Sequence, residues 1–211
     1  ATNAETVVIK NGEPVGGSIT RVDVHYLASP DAGAFEVLVD GESTAVVETA
    51  APEPTESVYR VPLAPGPHRV RVRAKGAVRL YGLVLENGDR GVVYDCYGMV
   101  GARGSRMLNP DLDHWKFWLA ERAPDLMIVM FGGNDLPDKV SMPRYEETFR
   151  QVVRRFREGR PEASCLVMSP LDHGEKYRGG IRTEPKLLEM IPIQRKVAFE
   201  EGCAYFSAFA A

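Results

Sequence analysis

Long apolar runs are missing from this sequence. No stretch approaches the roughly 18 residues that a membrane-spanning helix needs, so no membrane span is expected. Cysteine is scarce: Cys96, Cys165 and Cys203 are odd in number and widely spaced, and no Cys-x-x-Cys occurs. They read as small buried residues and not as a disulfide frame or a zinc site. An excess of charge of one sign is missing too. The formal net charge is −3, which argues against a general nucleic-acid or anionic-membrane surface. His25 and His68 have no Cys or His at metal-ligand spacing and read as ordinary surface or edge residues.

What is there describes a globular protein. The 211 residues are 44% hydrophobic and 26% charged, enough apolar material for one large domain or two small ones. From Thr6 to about Glu86 short alternating runs are separated by turn residues. Thr6–Lys10 is followed by Asn11-Gly12, a hairpin signal. Arg21–Leu27 alternates, with Val22, Val24 and Tyr26 on one face and Arg21, Asp23 and His25 on the other. Phe35–Val39 runs into Asp40-Gly41, and Ser57–Leu63, His68–Ala74 and Ala77–Glu86 are further strands. No helical period of 3.6 occurs here, and strands spaced this regularly predict an all-β sandwich. Arg69, Arg71 and Arg73 alternate with Val70 and Val72. That basic face either meets an acidic glycan or is a solvated outer face.

From Gly91 the texture changes. Val92–Asp95 reads as a strand and Cys96–Ser105 as a Gly-rich loop. Asn109-Pro110-Asp111 reads as a helix start with Asn109 as N-cap; Ala123-Pro124 ends that helix. A second helix spans Pro143 to Glu158, with Tyr145, Phe149, Val152, Val153 and Phe156 on its apolar face and Gly159 as C-cap. Ser164–Met168 is another buried strand, Ser169–Gly180 a polar loop, Pro192–Glu201 a helix and Cys203–Phe206 a strand. Alternation of strand and helix predicts right-handed β-α-β units and a parallel sheet. The expected division is a β-sandwich over 1–88 and an α/β part over 89–211.

One stretch concentrates the chemistry. Leu126–Phe131 is an apolar run that reads as a strand buried on both faces, and it breaks into Gly132-Gly133-Asn134-Asp135. At the carboxyl end of a parallel strand this is where ligands meet donors. Two glycines permit a sharp turn. Asn134 offers a neutral amide NH₂ toward developing negative charge. The preceding loop, Tyr97-Gly98-Met99-Val100-Gly101-Ala102-Arg103, leaves a neighbouring strand and places a Gly101 backbone N–H beside Asn134.

These blocks resemble the SGNH (GDSL-type) esterase and acylhydrolase family, whose third block is Gly-x-Asn-Asp and whose second is an oxyanion glycine. The words from Leu80 to Leu136 look like the subgroup with an inserted carbohydrate-binding-type jelly roll. The resemblance implies a three-layer parallel sheet, incomplete here and preceded by the sandwich. It implies serine catalysis without metal or organic cofactor on acyl or acetyl esters, with Gly101 and Asn134 as oxyanion donors. The partner it implies is an acylated small molecule or polysaccharide, not nucleic acid, in an extracytoplasmic setting.

Two departures matter. The family's nucleophile lies in a Gly-Asp-Ser block, which this sequence lacks, and its base in an Asp-x-x-His block after a strand like Cys203–Phe206, and no such block follows that strand here. The chain begins at Ala1 and ends at Phe209-Ala210-Ala211, so it is expected to be a middle piece holding the oxyanion half of the site, inactive alone. Within it, Ser105 and His173 could in principle meet at the sheet edge. Yet Asp172, adjacent to His173, is poorly directed as its partner. His114 reads as a helix-surface residue. The loop bearing Glu175, Lys176, Arg178 and Arg182 either touches substrate or is solvated. A non-catalytic carbohydrate-binding or scaffold protein and an O-acyltransferase of the same fold stand as alternatives.

Overall fold

The computed structural model describes residues 17–88 and 91–211, and the backbone of three short strands before them. The chain divides into two compact units, Ala1–Tyr94 and Asp95–Ala211.

The first unit holds β1 (Thr2–Glu5), β2 (Val8–Lys10), β3 (Glu13–Val15), β4 (Ile19–Ala28), β5 (Ala34–Val39), β6 (Glu42–Glu48), β7 (Thr55–Gly66), β8 (Arg69–Lys75) and β9 (Arg79–Glu86). Strands β2 and β3 pair antiparallel, and the Asn11-Gly12 turn signal between them lies outside the described residues. Two antiparallel sheets, ordered β1-β8-β5-β6 and β7-β4-β9, share one apolar core of Ile19, Val22, Val24, Phe35, Val37, Val47, Val61, Val70 and Val72. Alternation decides which residues enter it. Val70 and Val72 are buried while Arg69, Arg71 and Arg73 point outward, and Arg73 donates to Glu36 at 3.1 Å. Asp40-Gly41 makes the β5–β6 hairpin, both residues at positive φ (54° and 93°), as a two-residue turn of this kind requires.

One expectation fails here. Asp23 and His25 lie on the polar face of β4, yet they are only 2% and 9% exposed. Asp23 is shielded by Arg21 at 2.9 Å and Arg60 at 3.9 Å, long side chains that cover the strand while their charges stay paired. His68 sits at the surface with its ring between Asp40 Oδ2 (2.7 Å) and the Ala64 carbonyl (2.8 Å).

The second unit is mixed α/β: α1 (Leu112–Arg122), β10 (Leu126–Val129), α2 (Met142–Gly159), β11 (Ser164–Met168), β12 (Gly174–Tyr177), β13 (Gly180–Thr183), α3 (Pro185–Glu200) and β14 (Ala204–Phe206). Strands β10, β11 and β14 form a parallel sheet in that order. Trp115 and Leu119 of α1, Tyr145 to Phe156 of α2, and Leu187, Met190 and Val197 of α3 bury Met127, Val129, Cys165 and Val167.

All three helices therefore cover one face. Strands added in one direction through right-handed crossovers put both connecting helices on the same side. The expected burial on both faces does not hold: Leu126 is 51% and Phe206 47% exposed, and Ile128 and Met130 are exposed with them. Two layers stand where three were expected. Val92–Asp95 is irregular and not a strand, with Val92 97% exposed, and among the described residues no strand pairs with it; Asp95 is held by Arg122 at 2.7 Å.

Helix boundaries shift for identifiable reasons. Asp111, not Asn109, caps α1, accepting from the N–H groups of Asp113 and His114 at 2.9 and 3.3 Å; Asn109 closes the preceding 3-10 turn. Gly159 lies inside the last turn of α2, where Trp115 and Leu119 leave no room for a Cβ. Helix α3 starts at Pro185 and passes through Pro192. Pro192 and Leu188 are both exposed, so the helical hydrogen bond that Pro192 cannot donate is missing on the solvent side of α3. Cys165 and Cys203, both buried, form a disulfide joining β11 to the approach of β14, which corrects the expectation of three isolated thiols. Cys96 is unpaired and exposed.

Candidate active site

The site grows from the end of β10. After Val129 the Phe131 carbonyl accepts from Gln194 Nε2 of α3 at 2.8 Å, and the same amide nitrogen donates to the Tyr145 hydroxyl at 2.8 Å. Gln194 is fully buried; Tyr145, stacked on Phe149, has its phenol pushed up by burial. The chain then turns at Gly132 (φ 136°), where an added Cβ would lie 2.5 Å from Pro170 Cγ, 3.1 Å from Gln194 Nε2 and 3.3 Å from Met190 Cε. Only glycine fits. Gly133–Asp135 form a 3-10 turn, which lifts Asn134 to the surface.

The second loop meets the first there. Asn134 Nδ2 donates to the Ala102 carbonyl at 3.1 Å. Gly101 sits at φ 75° with open space on its Cβ side, and among the described residues no hydrogen bond engages its N–H. Arg103 donates to both oxygens of Asp138 at 2.6 and 2.7 Å, a bidentate tie between the loops. The guanidinium holds the Asp138 carboxyl below its usual range. Burial pushes the Asp135 carboxyl up, opposed by a hydrogen bond from the Gly104 N–H. Lys186 of α3 donates to the carbonyls of Asp135, Leu136 (both 3.0 Å) and Asp138.

Gly101 and Asn134 thus come from loops held together at three points. An amide NH₂ carries two N–H groups, so Asn134 can keep Ala102 and still present one outward. Asn134 therefore keeps a neutral donor beside the loop that carries Gly101, the kind of group that suits a carbonyl oxygen gaining charge.

Ser105 and His173 are not brought into such a relation. Ser105 is half-buried in the 3-10 turn Gly104–Leu108; His173 is exposed. Among the described residues no hydrogen bond joins them. His114 packs edge-on against Trp118 at 6.2 Å. Among the described residues no group of three or more His, Cys, Asp or Glu is placed to hold a metal, and no helix is long and apolar enough to cross a membrane.

Arg103, Asp138, Lys186 and Gln194 escaped the sequence reading. Lys186 carried a signal: a cation in the first turn of a helix opposes the helix dipole, so its place calls for another partner. That signal was hidden because α3 was expected to begin at Pro192.

Residues 68–211 match the model of the GDSL-like lipase/acylhydrolase family. The chain belongs to that family. No curated protein matches the sequence. Among solved structures, a peptidoglycan O-acetylesterase aligns over 92% of this chain and 54% of its own, with TM-score 0.64 and 18% identity. A family two carbohydrate esterase from Cellvibrio japonicus aligns over 97% and 78%, with TM-score 0.37 and 16% identity. A salicylyl-acyltransferase from a tetracycline biosynthetic pathway aligns over 90% and 67%, with TM-score 0.34 and 18% identity. The first likeness is one of fold, and the chain spans about half the length of that protein. In this GDSL-like chain the family match includes both loops of the site.

Proposed function

We propose that the chain supplies the oxyanion-binding part of a carboxylic ester hydrolase acting on acyl or acetyl esters of carbohydrate. The observation that carries the reading is the junction of the Gly101 and Asn134 loops through the Ala102 carbonyl at the carboxyl edge of the parallel sheet.

When a serine hydroxyl adds to the ester carbonyl, its proton goes to a base and the π electrons move onto the carbonyl oxygen. The Gly101 N–H and the outward Asn134 N–H donate to that oxygen without transferring a proton. Loss of one such donor costs about 10²–10³ in kcat. Collapse of the tetrahedral species returns the pair and expels the sugar alkoxide. In this reading the nucleophile and base come from outside this sequence, which has no Gly-Asp-Ser and no Asp-x-x-His after Cys203–Phe206. Its Asp111-Leu112-Asp113-His114 opens α1, with Asp111 capping the helix and His114 against Trp118. The sandwich over 1–88 serves in this reading as a carbohydrate-binding, jelly-roll-like domain for the α/β part over 89–211.

The absence of those two blocks also supports a second reading, a non-catalytic carbohydrate-binding or scaffold protein. An O-acyltransferase differs only in letting a sugar hydroxyl replace water at the acyl-enzyme.

The test is release of acetate from O-acetylated xylan and of p-nitrophenol from p-nitrophenyl acetate. The native gene product should hydrolyse both, and the 211-residue chain neither. A gene product that binds glycan and cleaves no ester establishes the second reading.

A further inference from the structure

The hairpin β12–β13 is a second feature at the same edge. Its strands pair Glu175 with Arg182, Lys176 with Ile181 and Tyr177 with Gly180. The turn has Arg178 at φ 45° and Gly179 at φ 81°. The Arg182 guanidinium stacks on the Tyr177 ring at 3.8 Å and that of Arg178 lies 5.0 Å from it. Glu175 engages Arg182 at 2.5 Å. Among the described residues neither Arg178 nor Lys176 has an ion-pair partner, and both are exposed. Lys176, Arg178 and Arg182 against Glu175 and the adjoining Glu184 leave this hairpin with a net positive charge on a chain of net charge −3.

Its position is fixed at both ends. The Glu184 N–H donates to the His173 carbonyl at 2.8 Å and closes the base of the hairpin. Before it, Pro170 abuts Gly132. After it, Lys186 holds the carbonyls of Asp135, Leu136 and Asp138. Both stems therefore grip the loop that carries Asn134.

A guanidinium near an aromatic ring keeps its in-plane N–H edge open, and that edge matches a carboxylate bidentately. Arg182 spends its edge on Glu175; Arg178 does not. We propose that Arg178, steadied by Tyr177, binds a carboxylate of an acidic saccharide whose ester lies at Gly101 and Asn134. The substrate class is then a carboxylate-bearing glycan. This rests on the ester-hydrolase reading of the site.

The test is a ¹⁵N NMR titration of the chain with trigalacturonate, neutral xylotriose and a trinucleotide of similar charge. Trigalacturonate should shift the amides of Tyr177–Arg182 together with Gly101 and the Asn134 side chain. Arg178→Ala should weaken it about fivefold, as loss of one exposed charge-assisted contact does, and Arg178→Lys less. Xylotriose and the trinucleotide should bind more weakly. Equal affinity for xylotriose, preference for the trinucleotide, indifference to Arg178→Ala, or shifts that bypass the hairpin would each overturn the proposal. Acid-selective binding in a gene product that cleaves no ester sinks the ester reading and leaves the Arg178 contact standing; ester cleavage without acid selectivity does the reverse.

Discussion

Gly132 and Gly133 are adjacent and look equivalent, yet the structure assigns them opposite sensitivities. In Gly132→Ala the new methyl would lie 2.5 Å from Pro170 Cγ and 3.1 Å from Gln194 Nε2, on a backbone at φ 136°. The backbone conformation costs about 1–3 kcal/mol and the overlap about 1–3 kcal/mol, or roughly 2–6 kcal/mol together. Around Gly133 nothing lies within 4 Å and φ is negative, so Gly133→Ala should stay within about 0.5 kcal/mol. Trp115 and Trp118 are the only tryptophans and both belong to the second unit, so urea unfolding followed by tryptophan fluorescence reports that unit alone. For an m-value near 2 kcal/mol/M, a 4 kcal/mol loss lowers the midpoint by about 2 M. Equal midpoints for the two variants would refute the reasoning.

Other consequences follow from the same packing. The Cys165–Cys203 bridge closes a separation of 38 residues, so Cys165→Ala with Cys203→Ala should lower the stability of the second unit by about 3–4 kcal/mol; unchanged stability and no effect of reductant would show the bridge absent in solution. Gln194→Leu strands the Phe131 carbonyl and the Tyr145 hydroxyl, at a cost of about 2–4 kcal/mol, and Tyr145→Phe in that background should recover part of it; strict additivity would contradict the shared hydrogen bond. His68 has its folded pKa raised, first by the Ala64 carbonyl and then by Asp40. Its stabilisation is therefore full below the unfolded value of about 6.5 and lost as pH rises through the folded value. By circular dichroism His68→Asn should lower the melting temperature more at pH 5.5 than at pH 8.5, and the opposite ordering would refute the assignment.

Much of this was legible where a local pattern and the tertiary outcome agree. The period-2 strands of the first unit declare their inward residues, and Asp40-Gly41 declares a hairpin. The turn after Leu126–Phe131 was legible because Gly132 interrupts an apolar run at a position where only glycine fits. The misreadings come from long-range effects. Leu126–Phe131 is uniformly apolar, yet which of its faces is covered depends on the direction in which β11 and β14 add to β10. Asp23 shares a polar face with Arg21, and nothing local says that Arg21 and Arg60 will close over it. The disulfide spans two strands that only the fold makes neighbours. Pro192 looks like a helix start because a proline usually is one, and its solvent-facing place in α3 is a tertiary fact. The ties made by Arg103, Asp138 and Lys186 are invisible for the same reason.

The central claim is that Gly101 and Asn134 act as a pair of neutral donors. Its most direct test is the steady-state hydrolysis of an O-acetylated xylo-oligosaccharide by the native gene product, wild type against Asn134→Ala. The account predicts kcat lower by about 10²–10³ with KM nearly unchanged. An Asn134→Ala enzyme with wild-type kcat, or with the loss confined to KM, would contradict it.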